Sequence, residues 1–238
     1  MNTGDVKVEI FDKEANLVQS IPGSKRKGLN KVYWNLRMKP PKVASGGTKI
    51  DFGGFIAPMV LPGDYTVKVI VGDKEYSQTV KLVHDENNKD LSLADRQLQY
   101  KTALQLYKMH EDLAAVVDDI NEKQKMIKDN MDKVKDAATK KLMEEFNTKL
   151  EEQRSQLLAT KQKSRFSDEE RLREKITEVY SAVAGQEAPP SNLQVQKAEQ
   201  LEINVTRAKE SVKIVNDKFY KPIFDKLVKE GLVKPKGF

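Results

Sequence analysis

The chain changes its hydrophobic period once, close to His84. Before this point, apolar residues alternate with polar ones in short segments, which is typical of strands in a half-buried sheet. After it, apolar residues recur at helical spacing, and no glycine or proline occurs between Asp73 and Ala184. We therefore predict two domains of different class, a β-domain over residues 1–86 and a long-helix bundle over residues 90–238.

The β-domain carries strand signals at residues 5–11, 17–21, 30–37, 63–71 and 75–83. Gly28-Leu29-Asn30 opens the third segment and Leu61-Pro62-Gly63 opens the fourth, and in both segments alternate residues are apolar. Short strands with a turn about every ten residues are typical of a β-sandwich. Trp34 and Tyr65 lie on the apolar faces of these two segments, so we expect both to be core residues.

A long connection, residues 38–59, separates the third and fourth predicted strands. Its turn-forming dipeptides are Pro40-Pro41, Gly46-Gly47 and Gly53-Gly54. Because long ordered loops often form binding surfaces, we regard Phe52, Phe55 and Ile56 as the candidate binding residues of the chain. We nevertheless prefer the interpretation that the two phenylalanines anchor an irregular edge strand against the sandwich, as apolar loop residues commonly do.

Helix lengths decide the predicted architecture of the second domain. The first and last helical segments each run for about 40 residues, which corresponds to about 60 Å at a rise of 1.5 Å per residue. Two shorter segments between them together span a similar distance. We therefore predict an antiparallel three-helix bundle whose middle helix is broken near Ser164–Ser167, in preference to a bundle of four unequal helices.

Several positions in the bundle carry signals of their own. Ser167 and Glu170 have the spacing of a capping box, which predicts that the third helix begins at Ser167. Pro222 is predicted to bend or end the last helix, because proline has no backbone N–H. His110 lies in the heptad register of the first helix, so we predict a buried core histidine in preference to a ligand.

Composition excludes several function classes. The chain has no cysteine, which excludes disulfides, thiolate metal sites and a cysteine nucleophile. The formal net charge of +6 is spread evenly, with 14 Lys+Arg against 11 Asp+Glu in residues 1–90 and 28 against 25 in residues 91–238. Since no basic stripe is interleaved with aromatic residues, nucleic-acid binding is not predicted. No stretch approaches the ~18 consecutive apolar residues of a transmembrane helix, so no membrane span is predicted.

The sequence shows no recognisable catalytic constellation. Its two histidines, His84 and His110, are far apart, and neither has a nucleophile motif or a zinc-binding spacing around it. The acidic residues cluster in turns and on lysine-rich helix faces, where solvation explains them. In the β-domain the candidate carboxylates are Asp51, Asp64 and Asp73. We therefore predict no enzyme activity, no metal site and no cofactor.

These motifs resemble a known family. The Gly-Leu-Asn signature before Trp34, the Pro-Gly-x-Tyr signature at Tyr65, and Ala188-Pro189-Pro190-Ser191 before the last helix are similar to the C-terminal region of secreted bacterial β-propeller proteins. Those propellers consist of sortilin-like or bacterial-neuraminidase-type repeats, and the proteins are often labelled glycosyl hydrolases. The β-domain is also similar to the immunoglobulin-like domain of the flagellar hook-capping protein and to fibronectin type III modules. The chain departs from the family at Glu86, where a proline commonly follows the aspartate.

The resemblance implies a fold and a function. The fold is an immunoglobulin-like or fibronectin-III-like β-sandwich followed by the helical bundle. The function is that of a non-catalytic C-terminal accessory region of an exported protein, in which the sandwich docks on an upstream β-propeller of the same full-length chain and the bundle is a spacer or partner surface. Any hydrolase activity would reside in that propeller, and the location would be periplasmic or secreted. The alternative is a carbohydrate- or protein-binding module that acts through residues 38–59.

Overall fold

The computed structural model describes residues 6–48, 52–88, 90–161 and 169–234. In this part of the chain, a four-stranded antiparallel sheet is followed by four helices. The strands are β1 (Val6–Phe11), β2 (Leu17–Pro22), β3 (Gly63–Val71) and β4 (Lys74–Leu82). The helices are α1 (Leu93–Asn130), α2 (Ala137–Leu157), α3 (Leu172–Ala184) and α4 (Asn192–Lys229), and one turn of 3-10 helix lies at Phe52–Phe55. The predicted order, strands first and helices after, is confirmed.

The sheet has the strand order β2-β1-β3-β4, so two hairpins are joined through β1 and β3. Its register places Val8 between Ile21 of β2 and Val69 of β3, and these three side chains share one face. The opposite face is polar, and there Lys68 and Glu75 form an ion pair at 3.0 Å. One face is therefore apolar and the other polar, as the alternation of side chains along each strand requires.

The predicted strand at 30–37 is not formed. This segment makes one isolated bridge, between Arg37 and Met59, and otherwise lies irregularly against the apolar face of the sheet. Leu36 has a φ of 59°, a left-handed conformation that interrupts an extended strand. The Trp34 indole N–H donates to the Arg37 carbonyl at 2.9 Å and closes the bend. The described strands therefore form a single sheet, and a second sheet is not present among them.

The long helices α1 and α4 have 38 residues each, close to the predicted length. The shorter helices α2 and α3 each pack against both long helices and barely contact each other. Both long helices begin at a capping box, formed by Ser92 with Asp95 in α1 and by Ser191 with Gln194 in α4. None of the described helices combines the length and the apolar character needed to cross a membrane.

The start of α3 differs from the prediction. Residues 169–171 are not helical and α3 begins at Leu172, so the predicted start at Ser167 is wrong; Ser167 itself lies outside the described residues. The carboxylate that caps the helix belongs to Glu174, which accepts a hydrogen bond from the Arg171 backbone N–H at 3.0 Å. The predicted break at 164–167 also lies outside the described residues.

The last helix continues through Pro222. A proline in a helix interior removes one backbone hydrogen bond and crowds the preceding turn, at a cost of roughly 3 kcal/mol. Phe219 and Ile223 on either side are buried in the helical core, and the Phe219 ring stacks on Phe146 of α2 at 5.6 Å between centroids. This packing holds α4 in helical form to Lys229, so of the two predicted effects of Pro222, a bend or an end, the end does not occur.

Candidate functional site

We call residues 38–59 the clamp loop, and its described parts, 38–48 and 52–59, pack against the helices. The Arg173 guanidinium of α3 donates to the Ala44 carbonyl at 3.1 Å. The Tyr180 hydroxyl, also from α3, donates to the Ile56 carbonyl. The Ala44 side chain is buried within the helical core. The clamp loop thus joins the β-domain to α3 through contacts on both sides of the 3-10 turn.

Two adjacent glycines allow close packing at the 3-10 turn, Gly53 against α3 and Gly54 within the clamp loop. A Cβ added at Gly53 would lie 2.8 Å from the Ser181 Cβ of α3, which is shorter than real Cβ contacts. A Cβ added at Gly54 would lie 3.2 Å from a methyl group of Val43 within the loop itself. Gly53 therefore allows the loop backbone to pack directly on α3, and Gly54 allows close packing within the loop.

This packing leaves Phe52 and Phe55 exposed on the outside of the clamp loop. The Phe52 side chain is 79% exposed and the Phe55 side chain is 51% exposed, whereas Ile56 packs against the helical core. The expectation that the two phenylalanines anchor the loop against the sandwich is wrong, because the loop backbone and Ile56 make the anchoring contacts. The rings instead lie at the two ends of a single 3-10 turn whose backbone contacts α3.

A cavity of about 460 Å³ lies between the clamp loop and the β-domain. Phe55 and Ile56 line it, and the polar side chains of its lining are Gln19, Asn35 and Arg37. The Arg37 guanidinium donates to the Ala57 carbonyl at 2.6 Å and to the Ala184 carbonyl at 2.9 Å. Ala184 is the last residue of α3, where the helix dipole favours a cation. Of the three candidate binding residues, the structure brings two to this cavity, and Phe52 lies elsewhere on the turn.

A second cavity, of about 610 Å³, lies on the apolar face of the sheet, and we call it the sheet-face cavity. Its apolar lining consists of Val6, Val8, Ile10, Ile21, Val32, Trp34, Val67, Val69, Val71 and Val80. Its polar lining consists of Ser24, Arg26 and Asn30, together with the backbone of Gly23. Residues 24–34 cover the cavity only in part, since Val32 remains 38% exposed and Val80 remains 46% exposed.

Trp34 connects the sheet-face cavity to the small core of the β-domain. Its ring meets the Tyr65 ring edge to face, with 5.2 Å between centroids, and both belong to an apolar cluster around Ile10 and Val18. Tyr65 is buried, and this burial raises the pKa of its hydroxyl to about 12. Trp34 is only partly buried and one side of it lines the cavity. The two predicted core residues therefore lie together, with Trp34 at the boundary between core and cavity.

The segment that forms the rim of this cavity lies within a strongly basic stretch of the sequence. Residues 15–50 contain eight lysines and arginines and no aspartate or glutamate. Arg26, Lys27 and Lys31 of this segment are exposed, and the Arg26 guanidinium has no ion-pair partner within the described ranges. The net charge of residues 1–90 does not show this asymmetry, because acidic residues elsewhere in the β-domain nearly cancel the positive charge of this stretch. Counting charge in windows of about 30 residues would have revealed it.

A buried ion pair links α3 to the clamp loop. The Arg173 and Glu174 side chains are 5% and 2% exposed and lie 2.6 Å apart. Glu174 also accepts a hydrogen bond from the Ala159 backbone N–H at 3.2 Å, while Arg173 donates to the Ala44 carbonyl. Hydrogen bonds thus accompany both buried charges, which is the condition under which a buried pair is tolerated. The arrangement holds three segments together.

His110 is buried in the helical core, as its heptad register predicted. Its ring meets the Tyr180 ring edge to face, with 5.2 Å between centroids. Both ring nitrogens lack a hydrogen-bond partner among the described residues. Burial, and secondarily the positive charge of Arg173, lowers the pKa of His110 to about 4. His110 is therefore a neutral core residue at pH 7.

The carboxylates considered for catalysis do not converge. Asp64 and Asp73 lie near the two ends of β3, which separates them by about 30 Å at 3.3 Å per residue. Glycoside hydrolysis needs two carboxyl groups roughly 5–10 Å apart. Asp51 lies outside the described residues. Within the described ranges, no group of three or more His, Asp or Glu side chains is close enough to hold a metal ion.

No protein-family model matches the chain, and neither do curated proteins or solved structures at a significant level.

Proposed function

We propose that this chain is a non-catalytic accessory and interaction region of a larger exported protein, and that it binds a partner domain through Phe52 and Phe55. The observation that carries this proposal is the pair of exposed aromatic rings on one fixed turn. Aromatic residues dominate interaction hot spots, because they bury a large area and lose little conformational entropy on binding.

Contacts on both sides of the turn hold the backbone that carries the two rings. Tyr180 fixes the carbonyl of Ile56, directly after Phe55. Gly53, between the two rings, lies against Ser181 of α3. A surface whose backbone is already ordered binds more tightly than a flexible loop with the same side chains, because the ordering entropy is not lost at the moment of binding.

In this proposal the partner is an upstream β-propeller of the same full-length chain, as the sequence resemblance implies. The sheet and its covering segment 24–34 serve as the immunoglobulin-like unit. The four helices serve as three rows, with α2 and α3 sharing the middle row, which is supported by their contacts with both long helices. A helix of 38 residues is about 57 Å long, so the bundle is suited to act as a spacer. The protein would be periplasmic or secreted.

The test uses the region encoded directly before residue 1 as the binding probe. Expressed separately, this region should contain β-propeller repeats and should bind the chain in isothermal titration calorimetry. The double variant Phe52→Ser/Phe55→Ser should weaken binding at least about tenfold, since each aromatic hot spot contributes more than about 1 kcal/mol. The control Leu193→Ser removes an apolar side chain that is 61% exposed on α4 and should leave binding unchanged. Absence of propeller repeats, or equal binding by the double variant, would contradict the proposal.

The 460 Å³ cavity favours a second candidate function, glycan binding. Phe55 supplies an aromatic face there, and Asn35, Gln19 and Arg37 supply amide and guanidinium donors. A sugar ring offers an apolar face and hydroxyl groups that match this combination. Glycan-array binding that is lost in Phe55→Ser and kept in Phe52→Ser would select this function. Loss of partner binding in both single variants would select the protein-binding surface instead.

A further inference from the structure

We propose that the sheet-face cavity binds a small anionic amphiphile, with its hydrocarbon chain on the sheet and its carboxylate at Arg26. The site is separate from Phe52 and Phe55, and the proposal does not depend on the function proposed above. Two observations carry it, an apolar floor that is only partly covered and a basic rim on one side of that floor.

Branched aliphatic side chains from all four strands form the floor of the cavity. They are Val6, Val8 and Ile10 of β1, Ile21 of β2, Val67, Val69 and Val71 of β3, and Val80 of β4. The volume of about 610 Å³ lies in the range of about 300–1,000 Å³ that is common for small-ligand sites. An apolar sheet face is ordinarily covered by another layer of the fold, but among the described residues only the irregular segment 24–34 lies over it. A hydrocarbon chain that fills the cavity would remove this remaining apolar surface from water.

The polar groups of the lining all lie in the segment that directly follows β2. The Asn30 side chain donates to the Arg26 and Gly28 carbonyls at 2.9 Å each, and these bonds hold the loop that carries Arg26. A guanidinium presents its N–H donors in a planar fork that matches a carboxylate. Lys27 and Lys31 are exposed on the same segment and add to the positive potential at the rim.

The floor and the rim together select one class of ligand. A ligand without charge would leave the Arg26 guanidinium unused, and a cationic amphiphile would be repelled by Arg26, Lys27 and Lys31. A membrane surface is flat, whereas the apolar floor lies in a concavity between the sheet and residues 24–34. A free carboxylate with a single hydrocarbon chain matches both the apolar floor and the basic rim of the cavity.

Trp34 provides the readout, because it lines the cavity and is the single tryptophan of the chain. The probe is sodium decanoate, titrated below its critical micelle concentration into the full chain. Trp34 fluorescence should change in a saturable way with a stoichiometry of one. Decyltrimethylammonium has the same chain length and the opposite charge, and it should bind at least about tenfold more weakly.

Variants at exposed positions test the basic rim and the apolar lining separately, without disturbing the core. Arg26→Gln should weaken decanoate binding about tenfold, the size expected for loss of one charge-assisted interaction. Lys13→Gln removes a cation from the β1–β2 turn, at the opposite end of β1, and should have no effect. Val32→Gln places an amide in the covering segment and should also weaken binding. Unchanged far-UV circular dichroism shows that each variant is folded.

Four results would each overturn the proposal. The first is a Trp34 signal that does not saturate with decanoate. The second is equal affinity for the anionic and cationic probes, and the third is the same affinity in Arg26→Gln and Lys13→Gln. Sedimentation of the chain with phosphatidylglycerol vesicles, without saturable decanoate binding, would assign the basic rim to a membrane surface and would also overturn it.

Discussion

His110 should make the helical domain lose stability as the pH falls from 6.5 to 4. Its ring is 0% exposed and lies against Tyr180, and neither ring nitrogen has a hydrogen-bond partner in the described part of the chain. Burial is the main cause that lowers the pKa of His110 from 6.5 to about 4, and the positive charge of Arg173 is the second. Protonation of the folded state would place an unpaired charge in the helical core.

The sign and size of the effect follow from proton linkage. Between pH 6.5 and about 4, the unfolded chain binds a proton at His110 and the folded chain does not. The free energy of unfolding is therefore unaffected by this group above pH 6.5 and decreases as the pH falls through that window. At about 1.4 kcal/mol per pH unit, the loss reaches about 3 kcal/mol near pH 4 and stays at that value below it.

Urea denaturation followed by far-UV circular dichroism, from pH 4 to 7.5, measures this loss. His110→Leu removes the titrating group and both unpaired nitrogens, so its stability at pH 7 should equal or exceed that of the parent. Its loss of stability on acidification should be smaller by about 3 kcal/mol. His84→Gln is the control and should keep the full pH dependence. Carboxylates also titrate in this window, but they are common to all three proteins.

The same pH dependence in the parent and in His110→Leu would refute this reasoning. A leucine variant that is less stable at pH 7 by more than about 1 kcal/mol would also refute it, because it would show that the imidazole nitrogens make favourable interactions in the folded state.

Four further outcomes are expected. Arg173→Met should cost about 3–5 kcal/mol in urea denaturation, because the Glu174 carboxylate is left buried without its partner, and Arg173→Met/Glu174→Gln should recover part of that loss. Trp34→Ala should destabilise the β-domain by about 3 kcal/mol, and a native emission maximum typical of free indole in water would contradict its placement. Residues 90–238 expressed alone should be helical but less stable than the full chain, which supplies the clamp-loop contacts; an unfolded fragment would contradict an independent bundle. A panel of aryl-glycosides, including a sialoside, should show no turnover by the chain, and activity that disappears in Asp51→Asn would contradict the non-catalytic proposal.

Local sequence patterns determined which segments form strands and which form helices. The alternation of Val6, Val8 and Ile10 predicted a strand, and four of the five predicted strands are present. The heptad register predicted the buried position of His110. These features depend on residues only a few positions apart, because the period of a strand or a helix alone decides which side chains share a face.

One part of the β-domain could not be predicted in this way. Residues 30–37 alternate like a strand, yet they pack on the sheet without joining it, since Leu36 adopts a left-handed φ within a bend that Trp34 and Arg37 close. Alternation of apolar and polar residues indicates that one side of a segment is buried. It does not indicate whether the backbone also forms hydrogen bonds with a neighbouring strand, because such pairing depends on strands elsewhere in the sequence.

The clamp loop and its aromatic residues are recognisable in the sequence, whereas tertiary contacts decide which way those residues face. The outward position of Phe52 and Phe55 depends on hydrogen bonds such as that from Tyr180 to Ile56, 124 residues apart in the chain. The sheet-face cavity likewise combines all four strands with the basic segment after β2. An irregular segment has no period that fixes its faces, so its orientation is set by whichever distant surface it packs against. The elements are therefore determined locally, and the surfaces that carry function are determined by packing.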